Sequence, residues 1–311
     1  MRIVITGGTG FVGRYLTLSL LQEGYEVIIF SRKSNYDLKV IDCPILSVDY
    51  SDPLALQTKL ENINPTHIIH LASSRDRGNL YSTSPVQISN HINSDINLII
   101  AAARLRNLKL FTYFGTADMY TCQLQEKINI DSNVNPKNIY GLKKSIGKNL
   151  IENLFSAENF PSVCLVPSVI YGPEQKTDMF LPALIESLLL NQNFKMTDGL
   201  QFRDYIFVTD VVDAIIKLIN KNGSNCLGLS LPLGSGSAIK IKDLALTVAS
   251  YFSEHHRSLL QFGGLPSAES EDNGYKFDIF KSRTLLNWDP KISLETGIKK
   301  TINHAKDLIN K

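Results

Sequence analysis

The sequence predicts an α/β fold: a doubly wound parallel sheet followed by a smaller mixed α/β lobe. Three observations carry this. Short apolar runs of strand length alternate with longer helical patterns up to Pro167. The runs are continuously apolar rather than alternating, which marks strands covered on both faces. A glycine-rich turn joins the first run to the first helical pattern, where such sheets bind ligands.

In chain order, residues 3–6 form the first strand run, and helical spacing follows over 11–23. Residues 25–30, 44–48 and 67–71 are the next three runs. A helical pattern covers 86–107, 108–114 is a fifth run, 139–159 a helix, and 163–167 a sixth run. This alternation predicts helices on both faces of one sheet. Beyond Pro167 the pattern is less regular. Helical spacing recurs over 181–190, 211–220, 241–252 and 294–309, separated by short strands and turns such as Gly234-Ser235-Gly236.

The 311 residues suit one large domain or two interleaved ones. With 43% hydrophobic and 20% charged residues, a disordered chain is excluded. Thirty-two Lys plus Arg against thirty Asp plus Glu leave a net charge of +2 and no basic stripe, so a nucleic-acid partner is not expected. Clusters such as Arg75-Asp76-Arg77 and Lys143-Lys144 are short, although one or two cations suffice for an anionic small molecule. The four cysteines (Cys43, Cys122, Cys164, Cys226) are dispersed without a C-x-x-C pair and read as buried thiols of a reducing compartment. No apolar run reaches the roughly 18 residues of a membrane span. Strand sequence begins at Arg2, so no signal peptide is expected. The expectation is a cytoplasmic protein without a membrane partner.

Thr6-Gly7-Gly8-Thr9-Gly10-Phe11-Val12-Gly13 places glycines at 7, 10 and 13 after a strand and before a helix. Glycine lets backbone approach a pyrophosphate, and the helix amino terminus offers unpaired N–H groups. An ordinary glycine-rich turn is the other reading, weakened by the β-α-β order that follows. At the end of the second run, Phe30-Ser31-Arg32-Lys33-Ser34 lacks the carboxylate that would accept bonds from an NAD ribose 2′-OH. Arg32 suits a 2′-phosphate, so NADP(H) is favoured, with NAD(H) still open. A solvated basic loop is the alternative, and Asp37 a weak rival. The expected division is a dinucleotide-binding Rossmann domain over 1–167, to which 204–230 returns, and a substrate-binding lobe over 168–203 and 231–311.

Of twelve tyrosines, Tyr140 alone is followed four residues later by a lysine, Lys144. That spacing puts both on one helix face. A phenol titrates near 10, so acting near neutrality needs a shift of about 3 units, or roughly 4 kcal/mol. A nearby ammonium and an oxidised nicotinamide both favour the phenolate. Taken alone the pair also reads as a surface helix contact. The preceding run, however, delivers a hydroxyl, Thr116, at its carboxyl end.

With these three motifs together the chain resembles the extended short-chain dehydrogenase/reductases, the NAD-dependent epimerase/dehydratase family. The resemblance covers essentially the whole chain. It includes T-G-G-T-G-F-V-G, H-I-I-H-L-A over 67–72, H-I-N-S-D-I-N around Asn93, and Y-G-L-K-K. Downstream it includes V-P-S-V-I-Y-G-P over 166–173, F-R-D-Y-I-F-V-T-D over 202–210 and N-W-D-P over 287–290.

The resemblance implies that Thr116 binds the substrate oxygen, Tyr140 gives or takes the proton, and Lys144 holds the nicotinamide ribose and lowers the tyrosine pKa. It implies cofactor contacts at Gly7, Gly10, Phe11, Val12, Gly13 and Arg32. Further contacts would come from Asp49, Tyr50, Leu71, Ala72 and Pro167, with Asp49 near the adenine. Asn93, Asp118, Ser168 and Arg203 are the implied substrate contacts; for Asn93 a helix-capping role is the rival, and for Arg203 a solvated rim charge. The family's arginine before proline is Val166 here, and Ser168 stands where asparagine is frequent. A homodimer is the family-level expectation.

Sugar 4,6-dehydratases of this family carry Asp-Glu directly after the catalytic threonine. Ala117-Asp118 stands there in this chain, so dehydration is not expected. The segments 260–266 and 277–288 are similar to nucleotide-sugar 4-ketoreductases of the CDP-abequose synthase type. The resemblance thus implies NADPH-dependent reduction of a nucleoside-diphosphate 4-keto-6-deoxyhexose at C4. The alternatives are an NAD(P)-dependent nucleotide-sugar epimerase and a non-catalytic NADP-binding protein. His67 and His70 read as packed residues and Arg75 as a loop charge. His91 and His255-His256 lack partners at metal-ligand spacing, so no metal is expected.

Overall fold

Among the described residues seven parallel strands make the main sheet, and the point where their order turns back positions the site. The computed structural model describes residues 1–32, 42–73, 84–120, 127–129, 131–136, 138–221, 223–266 and 274–309. β1 (Arg2–Thr6) leads through α1 (Phe11–Gln22) to β2 (Glu26–Ser31) and β3 (Ile45–Ser47) on one side of it. The chain then crosses back through α2 (Pro53–Ile63) to β4 (His67–His70) on the other side of β1. From there it continues through α3 (Pro85–Ala103) to β5 (Leu110–Phe114), which abuts β4. The carboxyl ends of β1 and β4 therefore flank the crevice where such sheets take ligands.

After the short β6 (Lys127–Ile128) and the long α4 (Ile139–Glu158), β7 (Ser162–Pro167) pairs with β5. β4, β5 and β7 are wholly buried and β1 and β2 are buried after their first residue, as their unbroken apolar runs require, whereas the edge strand β3 is not. Helix limits follow local chemistry. Asp52 caps α2 through its carboxylate with Pro53 at the first position, and Asn64 ends it in the left-handed region. α3 stops at Ala103 rather than 107, because turns fill the polar stretch before β5.

Past β7 the chain first builds a small second sheet in which β10 (Phe202–Phe207) lies between β8 (Val169–Tyr171) and β12 (Ala238–Lys240). α5 (Phe180–Leu189) precedes β9 (Phe194–Lys195) on this side. α6 (Val208–Asn220) then lies against α1, and β11 (Ser230–Leu233) joins the main sheet beyond β7. The returning segment thus runs to Leu233 rather than 230, since all four residues of β11 pair with β7. Residues 204–207 belong to the second sheet instead.

α7 (Ile241–Ala249), β13 (Leu260–Gln261), β14 (Lys276–Phe277), α8 (Phe280–Leu286) and α9 (Leu294–Ile309) complete the chain. A second apolar cluster, including Tyr171, Leu184, Phe207, Leu244 and Ile298, forms beside the main core. The N-W-D-P segment ties the two parts together. Trp288 Nε1 donates to Asp210 O at 2.9 Å, and the Asp210 carboxylate accepts the Lys291 and Ile292 amides at 3.0 Å each. No helix among the described residues is long and apolar enough to cross a membrane.

Candidate active site

The glycine turn is closed so tightly that side chains have no room. Gly7 sits at φ +73°, and a Cβ there would lie 2.7 Å from Ala72 N. A Cβ on Gly13 would overlap Gly7 O and stand 2.7 Å from Gly8 Cα. Gly10 N donates to Gly7 O at 2.9 Å, and Gly10 caps α1 without any side-chain bond. The first-turn amides, at half-buried Phe11 and Val12 and buried Gly13, therefore have no partner within the helix. Leu71 N and Ala72 N donate to Thr6 O and Thr6 Oγ1 at 3.1 and 3.2 Å, locking β4's end against β1's. This cradle of bare backbone and unpaired N–H groups fits a dinucleotide pyrophosphate.

At the carboxyl end of β2, Arg32 is exposed, and its charge acts on the buried Tyr50. Tyr50 donates to Phe30 O at 3.3 Å, and its own carbonyl accepts Asn97 Nδ2 at 2.9 Å. Asp49 is exposed and accepts both the Ser51 hydroxyl and amide, which hold its carboxyl below the usual range. Lys33, Ser34 and Asp37 lie outside the described residues.

Thr116 follows β5, is buried, and opens a short 3-10 turn, accepting Asp118 N at 3.3 Å. Asn138 caps α4 by accepting Gly141 N at 2.7 Å and turns its amide toward Asp118 Oδ2 at 3.5 Å. Gly141 lets the helix start touch Asp118's backbone, since any Cβ there would overlap Asp118 O. In this way Thr116, Asp118 and half-buried Tyr140 are gathered at one end of the sheet. Lys144, one turn on, is 1% exposed. Its Nζ has no hydrogen-bond partner among the described residues and lies 4.6 Å over the Tyr113 ring. A buried donor left over in this way fits the hydroxyls of a nicotinamide ribose.

Beneath Lys144 lies a carboxylate that the sequence reading did not single out. Asp95 of α3 is buried. Its Oδ1 is 3.1 Å from Lys143 Nζ and 3.3 Å from His70 Nε2. Its Oδ2 accepts Tyr113 Oη at 2.8 Å and stands 4.0 Å from Lys144 Nζ. Burial works against the Asp95 charge, yet its cationic surroundings hold its carboxyl below the usual range. Burial likewise pushes Lys144 down to about 8, opposed by Asp95 and reinforced by Lys143. Gly147 makes room for the Tyr113 hydroxyl, which any Cβ there would strike.

In the second lobe, Arg203 Nη1 donates to Phe202 O at 2.7 Å, and the guanidinium lies 5.3 Å from the Tyr275 ring centre. The charges of Arg203 and Asp118 both act on Tyr275, so that tyrosine links two implied substrate contacts. Ser168 is buried and donates to Asp204 Oδ1 at 3.4 Å. Asp204 also accepts the Ser235, Gly236 and Phe277 amides, which makes it the anchor of the Gly234-Ser235-Gly236 turn. Pro167 is buried at the end of β7, paired in register with Leu233. Asn93 does not join the cluster. It is exposed and donates to Ser89 Oγ at 3.1 Å, because two residues along a helix turn it about 200° from Asp95. Arg75 and the side chain of His91 lie outside the described residues.

Residues 3–226 match the model of the NAD dependent epimerase/dehydratase family. The chain belongs to this family. The CDP-abequose synthase of Salmonella muenchen is 24% identical over 310 residues, covering 97% of each chain. The solved structure of Pal from Bacillus thuringiensis superposes with a TM-score of 0.86 at 26% identity, over 99% of this chain and 100% of that one. The UDP-glucuronic acid 4-epimerase of Bacillus cereus, solved with UDP-glucuronic acid and NAD, gives 0.84 at 23%, over 99% and 100%.

Within this epimerase/dehydratase frame, the glycine turn and the Tyr140-to-Lys144 spacing were readable from sequence because each is local. Asp95, Tyr113 and Tyr275 were not. The one available signal was a lone acid in an otherwise neutral helix, since Asp95 is the only charged residue in α3.

Proposed function

We propose that the chain is an NADPH-dependent reductase of a nucleoside-diphosphate 4-keto-6-deoxyhexose, acting at C4. Bound at the glycine turn, NADPH would supply the hydride that converts the C4 ketone to an alcohol. Tyr140 delivers the proton to the oxygen at C4 as negative charge develops there. Thr116 accepts Asp118 N through its oxygen, which leaves its own proton to donate to the same sugar oxygen. Lys144 holds the ribose hydroxyls and, by its charge, favours the phenolate form of Tyr140 once the proton has left. Arg203 faces the pyrophosphate of the sugar nucleotide, with Tyr275 beneath it. In this reading the second apolar cluster and the small sheet form the sugar side, and the enzyme works as a homodimer.

The observation that carries reduction is Arg32, exposed at the end of β2 where a ribose-binding carboxylate would favour NAD. An arginine there suits the 2′-phosphate of an exchangeable NADPH, whose stoichiometric use means net reduction. Ala117-Asp118 after Thr116 argues against the loss of water. The second reading is a nucleotide-sugar epimerase, favoured by the likeness to the Bacillus cereus enzyme solved with NAD.

The test is incubation with CDP-, dTDP-, GDP- and UDP-linked 4-keto-6-deoxy sugars plus NADPH or NADH carrying deuterium at the transferable position. Loss of reduced-cofactor absorbance with deuterium at C4 supports the reductase. An isomerised sugar without net cofactor use replaces it with the epimerase.

A further inference from the structure

The buried cluster around Asp95 draws on five elements, β1, β4, α3, β5 and α4. Ala72 N donates to Thr6 Oγ1 at 3.2 Å, and the Thr6 hydroxyl, 2.6 Å from His70 Nδ1, has its proton available to donate there. In the tautomer that accepts from Thr6 at Nδ1, His70 carries its proton on Nε2, which lies 3.3 Å from Asp95 Oδ1 without hydrogen-bond geometry. Tyr113 closes the other side by donating to Oδ2 at 2.8 Å. Contacts of 2.6 and 3.3 Å through His70 thus connect the end of β1, beside the glycine turn, to the carboxylate beneath Lys144.

The charges of this path do not cancel. Burial pushes His70 below its ordinary value, so at neutral pH it is the uncharged imidazole that this bonding pattern requires. From β5, Tyr113 is pushed well up, mainly by burial, and from β7 the Cys164 thiol is pushed up to about 12 by the same cause. Both are neutral. Tyr140 faces Tyr113 from the start of α4. Asp95 from α3 therefore stands with one negative charge between two buried ammoniums, Lys143 at 3.1 Å and Lys144 at 4.0 Å. Lys143 is satisfied at contact distance and also reaches Ser73 Oγ at 3.4 Å. Lys144 has the charge of Asp95 without a bond to it.

We propose that Asp95 is a positioning residue of this site: its carboxylate keeps the Lys144 ammonium charged and aimed outward, and the His70–Thr6 path ties it to the dinucleotide turn. The inference rests on Lys144 being the ammonium of the active site. A carboxylate bonded directly to Lys144 would consume the donor that a ribose needs. At 4.0 Å, with Lys143 and Tyr113 at contact distance from its oxygens and His70 beside it, Asp95 supplies charge and leaves the Lys144 protons unspent. Sharing that anion with Lys143 adds to the burial that already brings Lys144 down to about 8.

The test is a titration of the free protein labelled with [ε-13C]lysine, with the Lys144 resonance assigned by its loss in Lys144→Arg. The wild-type midpoint is expected near 8. Asp95→Asn should lower it by about one to three pH units, the span that effective dielectric constants of about 80 and 20 give at this separation. Lys143→Gln should raise it by a similar amount, and this variant decides the matter if Asp95→Asn fails to fold. The Asp95→Glu variant, which restores the charge, should return the midpoint toward wild type. A Lys144 midpoint that moves with neither Asp95→Asn nor Lys143→Gln overturns the proposal. Because neither cofactor nor sugar enters this measurement, its outcome is independent of whether the panel of keto sugars finds a substrate.

Discussion

Replacing Lys144 by methionine preserves side-chain length and removes the ammonium, and the structure fixes how stability should respond to pH. In the native protein Nζ is buried without a hydrogen-bond partner among the described residues, and burial brings the group from 10.5 down to about 8. In the unfolded chain the same amine keeps its proton until its ordinary value. Between these two values the unfolded state binds more protons than the native one, so the Lys144 contribution to stability rises with pH across that window. Below about pH 8 both states are protonated and the contribution is flat.

Integrated from about pH 8 to 9.5, the rise amounts to about 1.5 kcal/mol, at about 1.36 kcal/mol per unit. Burial pushes the Cys43 and Cys164 thiols up to about 11 and about 12, which gives a slope of opposite sign in the same range. Comparing Lys144→Met with the wild type cancels Cys43 and the burial part of Cys164, its largest cause. Urea denaturation of both proteins at half-unit pH intervals reads the difference. The wild type should gain about 1.5 kcal/mol on the variant over this span. Parallel stability curves, or a variant that gains on the wild type, would show that the native ammonium titrates at its ordinary value and that the burial argument is mistaken.

Other consequences are as direct. Tyr140→Phe should lower turnover by about 10²–10⁴-fold, the usual worth of a general acid, with NADPH binding by fluorescence nearly unchanged; full turnover would remove Tyr140 from the chemistry. Arg32→Ser should weaken NADPH binding by about 10–100-fold, from the loss of a charged hydrogen bond of about 1.5–3 kcal/mol, and leave NADH binding alone. Equal loss for both cofactors would mean that no 2′-phosphate is read there. In Gly13→Ala the new methyl meets Gly7 O and Gly8 Cα, both backbone, so the turn must open. The expected cost is about 1–3 kcal/mol in the free protein, together with loss of the thermal protection given by NADPH.

Much of the molecule was legible because its signals are local. The run before Gly7, the glycines at 7, 10 and 13, and the helix that follows lie within a few residues of one another, and each constrains the next. The Tyr140-to-Lys144 spacing is one helical turn. Strand runs such as Ile68-Ile69 and Val163 to Val166 are apolar on both faces because helices cover both. The edge strand Ser230–Leu233 was harder to see, since Pro232 and a flanking glycine turn blur a four-residue run.

Asn93 shows where local reading fails. The helix was recognised, but its phase relative to the sheet was not, and two residues separate the exposed amide from the buried acid. Tyr275 was missed for a related reason, since nothing nearby in sequence indicates that Arg203 lies against it.

By itself the sequence determined the order of strands and helices, the glycine-rich turn and the pairing of a phenol with an amine on one helix face. Those follow from steric limits and periodicities that act over a few residues. Only the tertiary structure decided which charges meet inside it. His70, Asp95, Tyr113 and Lys144 come from four different elements, and their protonation depends on burial and on distances of 3–4 Å. Electrostatic energy in a dry interior changes steeply over such distances, and chain order carries no record of them.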